Sequence, residues 1–270
     1  MRVTAALRHL RYLRLLGVQL RASAAVAMQY RVEFLVQGAL ALFWAGWSVV
    51  PLLVVYGARQ SVAGWTFEEA LVVMGFFLVV KGILEGAVNP SLASVIEHIR
   101  KGTLDFVLLK PADAQFLVST AKFAPWRILD VLAGLAVFAH AFHRMGRAPS
   151  AGDVLGALAL LACATAVLYS LWILVISAAF YVVRIDNLSF LFVSIYDAAR
   201  WPVDVFRGAL RLLFTFVVPL ALMTTFPAVA LLGRLDLSLA LEALLGALAF
   251  AVFARLVWLR AIGRYTSASS

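Results

Sequence analysis

Long uncharged runs constrain this chain more than any other feature. "ALVVMGFFLVV", Ala70 to Val80, is one of several such stretches. About 20 consecutive apolar residues suffice to cross the hydrocarbon core of a bilayer as a helix. Inside lipid only a structure that satisfies its backbone N–H and C=O groups internally is stable, and for runs of this length that structure is a helix. Spans are expected at Glu33–Tyr56, Phe67–Val88, Phe116–Phe142, Asp153–Val183 and Leu239–Trp258. Between the last two, Leu188–Trp201 reads as a further span, ending at Trp201-Pro202, and Val203–Gly233 as a re-entrant pair of short helices on the outer side. Pro202, Pro219 and Pro227 act as its breakers. A competing assignment makes Gly208–Leu232 the fifth span and lays Leu188–Trp201 in the interface. Either way the expectation is an all-α polytopic membrane protein with six transmembrane helices in one domain over residues 1–270.

Composition agrees. The chain is 64% hydrophobic and only 14% charged, where soluble domains carry about 25% charge. The net charge of +9 is explained by loops that obey the positive-inside rule rather than by nucleic acid. The single Cys163 lies inside an apolar run, so no disulfide framework is available. The first 31 residues carry Arg8, Arg11 and Arg14 among leucines and lack the short apolar core of a signal peptide. They read as a basic amphipathic helix lying on the cytoplasmic membrane face. Placing both termini in the cytoplasm puts arginines and lysines inside rather than outside by about two to one. Residues 89–114 then form a cytoplasmic loop.

Two charged pairs stand out within the spans. Lys81 and Glu85 stand four apart on one helix, and Arg127 and Asp130 three apart on the next. Charges at this depth are costly and face the bundle interior or pair. These pairs serve either a translocation pathway or subunit interface, or simply neutralise each other near helix ends. His140 and His143 have the spacing of two metal ligands but lack a third nearby, so no metal site is expected. There is no Gly-x-Ser-x-Gly elbow and no Gly-x-x-x-x-Gly-Lys-[Ser/Thr] loop. Any ATP-driven work would need the ATPase in a separate chain.

The loop "IRKGTLDFVLLKPADAQF" is dense with punctuation. Gly102 ends the preceding segment, Thr103 can cap, Asp105 suits a helix N-terminus, and Pro111 stops the helix. Leu104, Val107, Leu108 and Phe106 would offer an apolar surface between Arg100, Lys101 and Lys110. Such a helix can lie on the bilayer or fill a partner's groove.

Three stretches carry a resemblance over essentially the whole chain: "IRKGTLDFVLLKP", "YDAARWPVDVFRGALRLLFTFVVPLALMTTFPAVALLG" and the ending "GRYTSASS". Their order resembles the type-2 ABC exporter permeases, and among them a bacterial paired-permease subfamily that ends in Tyr-x-Ser-Ala-Ser. The resemblance implies a non-catalytic permease subunit of the bacterial inner membrane. It would work in export or efflux as a dimer with an identical or paralogous permease, in contact with the lipid bilayer. A separate ABC ATPase using ATP and Mg would drive it through residues 99–113. On that resemblance Arg100, Lys101, Gly102, Leu104, Asp105, Leu108, Leu109, Lys110 and Pro111 form or shape the ATPase contact, and Arg184 and Asp186 a minor one. This chain itself would bind no cofactor. The alternatives are a secondary transporter, or an intramembrane lipid-modifying enzyme acting without an ATPase.

Overall fold

A computed structural model describes residues 2–181 and 194–264, with side chains from residue 11 onward except at 216 and 217. Helix α1 (Arg2–Gln29) meets α2 (Arg31–Gly57) at a bend on Tyr30. A minimal hairpin comes next, β1 (Ser61–Val62) against β2 (Trp65–Thr66). Its two turn residues, Ala63 and Gly64, both have positive φ, the requirement of a tight hairpin loop. Thr66 opens α3 (Phe67–Ile83) with a reciprocal cap: its hydroxyl accepts from the Glu69 amide while the Glu69 carboxylate accepts from the Thr66 amide.

Five helical stretches are long and apolar enough to cross a membrane: Arg31–Gly57, Phe67–Arg100, Pro125–Met145, Ala151–Ala178 and Leu237–Gly263. The fourth ends at Ala178 rather than Val183 and the last runs on to Gly263, and two others differ from the expected spans in kind. The second does not stop at Val88. A π turn at Leu84–Val88 leads directly into α4 (Asn89–Arg100). Pro90 is tolerated there because the Gly86 carbonyl, which an N–H at position 90 would have reached, accepts from the Ala124 amide instead. The third does not start at Phe116. Helix α6 (Ala114–Ser119) is separate, and α7 (Ile128–Met145) begins only after a 3₁₀ turn at Pro125–Arg127. The intervening amides are captured elsewhere: Lys122 donates to Ser91 Oγ, Phe123 to Ser23 Oγ and Ala124 to the Gly86 carbonyl at 2.8 Å. The expected span therefore runs through 120–124 while the helix does not.

Helix α8 (Ala151–Ala178) carries a second reciprocal cap, Ser150 with Asp153. Most of the expected span Leu188–Trp201 lies outside the described residues; its end is helical at 194–196, then a 3₁₀ turn at Asp197–Arg200. Residues 203–233 form two helical legs. The first is α9 (Ala209–Leu212) with the π turn Leu213–Val217, and the second is the π turn Ala221–Thr225 with α10 (Phe226–Leu231). Helical geometry is lost at Val218 before Pro219, so Gly208–Leu232 is not one continuous helix. Pro202 introduces a 3₁₀ turn at Val203–Val205. Pro227 does not act as the expected breaker: it lies in the first turn of α10, where the helix accommodates it. The last helix is α11 (Leu237–Gly263).

Helix α3 is the centre of the packing, buried around nearly its whole circumference between Glu69 and Val80. It crosses α7 where both chains give up side chains. A Cβ on Gly134 would stand 2.7 Å from the Gly75 carbonyl oxygen, so the two backbones touch, as small residues permit in membrane bundles. The segment before the two legs is tied into this core. Tyr196 donates to the Phe77 carbonyl, Thr224 to the Ala199 carbonyl, and the Val203 amide to Thr225.

Candidate functional site

The punctuated loop is held open by backbone geometry. Gly102 has φ +65; its amide reaches the Ile99 carbonyl and the Thr103 amide the His98 carbonyl, the paired bonds that end α4 on a left-handed residue. Thr103 does not cap the next helix as expected. Its hydroxyl lies 2.7 Å from His98 Nδ1, because the chain turns back on α4 first. Helix α5 (Asp105–Leu108) is a single turn with Leu104 in the preceding position.

That turn sorts the apolar residues differently from the expected surface. Leu104 is fully buried and belongs to the core, so it anchors the loop from within; Val107 and Leu108 are half-buried. Phe106 and Leu109 are the ones presented outward, 70% and 81% exposed. Arg100, Lys101, Lys110 and Pro111 are also exposed, and Gly102 and Asp105 half-buried. Lys101 is bonded to Glu97 one turn earlier at 2.6 Å, a contact between exposed groups that adds little. Arg184 and Asp186 lie outside the described residues, as does the Tyr-x-Ser-Ala-Ser ending.

Residues 111–119 tie the loop to distant helices. Asp113 caps α6 by accepting from the Phe116 amide, and holds Arg255 of α11 with both oxygens, at 3.2 and 2.6 Å. The same guanidinium donates to Gln115 Oε1 at 2.6 Å. Gln115 in turn donates to Tyr169 of α8, which also bonds Ser119. Burial alone would raise the Asp113 carboxyl. Arg255 and the Phe116 amide outweigh it and hold the group below the usual carboxylate range. From the other side α1 contributes Arg11, which donates to the Pro111 carbonyl, and Tyr12, whose hydroxyl accepts from the Asp113 amide and whose ring meets Phe116 edge-on at 4.7 Å. Sequence reasoning missed this latch. The available signal was Arg255 itself, a cation deep in the last apolar run with no acid within a helical turn.

Three of the charges inside the spans, Glu85, Arg127 and Asp130, form one cluster. Arg127 reaches Asp130 at 3.1 Å as expected, but Lys81 and Glu85 do not pair. Glu85 lies in the π turn, off the α-helical i,i+4 register, and faces Arg127 at 3.8 Å and Asn89 at 3.3 Å. Lys81 has no ion pair among the described residues. Asp130 is completely buried, and its second oxygen has no partner among the described atoms. At the opposite end Arg234 pairs with Glu69, Arg144 with Glu68 at 3.6 Å, and Arg211 with Asp204 at 2.8 Å. His140 and His143 are exposed, and among the described residues no group of three His, Cys, Asp or Glu converges on a metal site.

A broken bundle of apolar helices with one tethered loop is the setting in which the comparison with known families is decisive. The family model described as "ABC-2 family transporter protein" matches residues 42–269. The chain belongs to that family. No curated protein and no solved structure matches it. As an ABC-2 family member it is a multi-pass membrane component of an ABC transporter, a kind of subunit that in general works with a partner ATPase. The match runs from the middle of α2 through α11 and leaves α1 outside it.

Proposed function

We propose that this chain is the permease subunit of an ATP-driven exporter in a bacterial inner membrane, with both termini cytoplasmic, paired with an identical or paralogous permease and driven by a separate ABC ATPase through residues 99–113. The observation that carries this reading is the form of α5: one turn, anchored inward by Leu104, presenting Phe106 and Leu109 outward on a loop wired to α1, α8 and α11. A large exposed aromatic beside an exposed Leu at a loop tip suits insertion into a protein groove. Of the expected ATPase contact, Leu109 thus stays on the outer surface and Phe106 joins it, while Leu104 turns inward.

Coupling follows from differential contact. When the ATPases change spacing on binding ATP, the loops move with them. Asp113–Arg255 and Gln115–Tyr169 carry that displacement to α11 and α8, and Tyr12 carries it to α1. The state that preserves ATPase contact is favoured.

The test is complex formation with the cognate ATPase and stimulation of its activity by detergent-solubilised permease. Phe106→Asp with Leu109→Asp should weaken the complex at least about tenfold, as loss of interface anchors does, with thermal stability unchanged. Equal complex formation and equal stimulation by the double variant would remove the loop from the coupling role.

A further inference from the structure

The bend between α1 and α2 borders an open pocket of about 430 Å³. Its wall includes Tyr30 at the bend, Glu33 and Phe34 at the start of α2, and Lys122 and Trp126 from the segment that leads into α7. The Glu33 and Lys122 side chains have opposite charges, and neither makes a hydrogen bond or ion pair among the described residues. Phe34 and Trp126 meet edge-to-face with centroids 6.5 Å apart, and aromatic faces at a site of this kind favour a cation. On the far side of Phe123 lies a second cavity of about 430 Å³, between α1, the π turn of the second span and α7. Phe123 lines both. The second is mostly apolar, lined by residues such as Leu20, Ile83 and Val131, with Arg127 its one charged residue.

The two compartments differ in the way the two parts of a lipid differ. One acid and one base with aromatic walls match a zwitterionic headgroup. An anionic headgroup would satisfy Lys122 but set a negative charge beside Glu33. The adjoining apolar space matches an acyl chain, which a soluble amine phosphate would leave unfilled. The bend also lies at the end of the apolar run of α2, where a spanning helix leaves the hydrocarbon. We infer that the α1–α2 bend is a binding site for a zwitterionic glycerophospholipid of the phosphatidylethanolamine class: ammonium against Glu33 and the rings, phosphate against Lys122, one acyl chain beyond Phe123.

The experiment is native mass spectrometry of the full-length protein in detergent with equimolar phosphatidylethanolamine and phosphatidylglycerol. The wild type should retain phosphatidylethanolamine by about three- to fivefold, the scale of one exposed charge contact. Glu33→Gln should bring that ratio to about one, and Lys122→Met should lower retention of both lipids. Ala24→Trp, which fills the apolar cavity, should lower retention of both without changing the ratio. Both charged residues are exposed, so their variants should melt with the wild type. A wild type without preference, or a Glu33→Gln variant that keeps it, overturns the site. Displacement of the lipid by an equal concentration of free phosphoethanolamine overturns the lipid reading in favour of a soluble ligand.

Discussion

Helix α2 and the long second span are almost equally apolar, with mean hydropathies of 2.0 and 2.1 over their best windows, yet 28% of one and 72% of the other is buried in the protein. Apolarity separates membrane from water; it does not separate lipid from protein. The second span is the axis of the bundle, with glycines where α7 crosses and a charged cluster at its π turn. Helix α2 leaves Leu40, Phe43, Trp44 and Trp47 outward. Lipid tails are as apolar as leucine, so only contact geometry, small residues and polar partners distinguish the two.

Four substitutions probe that contrast, and the largest effect belongs to the buried charges. Arg127→Leu leaves Asp130 uncompensated at zero exposure and should cost about 3–5 kcal/mol, read as a loss of many degrees in melting of the purified protein. Replacing Asp130 by Leu as well should recover part of it; a single variant that melts with the wild type would make the cluster dispensable to the fold. Next is Gly134→Val, which pushes a side chain into the Gly75 carbonyl. Overpacking of this kind costs roughly 1–3 kcal/mol, and a melting point at or above that of the wild type would contradict the close crossing.

The latch is partly solvated, with Asp113 and Arg255 side chains 36% and 40% exposed, so Asp113→Asn should cost no more than about 1 kcal/mol. Its signature is the pH dependence. Because the folded-state carboxyl titrates below its unfolded value, the stabilisation is complete above the ordinary aspartate range near 4. It is lost as pH falls through the lower folded value. The melting difference between wild type and Asp113→Asn should therefore be constant at neutral pH and vanish in strong acid; a difference that persists in acid would exclude the latch. The smallest effect should come from α2: Phe43→Ala should change the stability of the isolated chain by no more than about 0.5 kcal/mol. A large loss there would mean that the exposed face of α2 packs within the chain.

Much of the fold was legible because it depends on local composition. The apolar runs marked where helices lie, and Gly102 and Pro219 marked where they stop. Boundaries failed where backbone groups found partners outside their own helix. Ser91 and Ser23 capture amides of 122 and 123 and end a helix that hydropathy would continue, while the π turn absorbs the break expected at Asn89-Pro90. At the loop the sequence located the short helix but not its inside and outside. Leu104 and Leu109 are the same residue type five positions apart, and only docking onto the rest of the bundle buries one and exposes the other.

The sequence by itself determined that the chain is a polytopic, helical membrane protein without a nucleotide-binding loop of its own, since apolar length and missing motifs are properties of contiguous residues. Tertiary structure decided the partners. Glu85 faces Arg127 rather than Lys81, Arg255 finds an acid 142 residues away, and α1 closes on the loop at one place and on a two-part cavity at another. These pairings rest on helix register and crossing angle, which a single inserted residue in a π turn can change, and no local pattern encodes them.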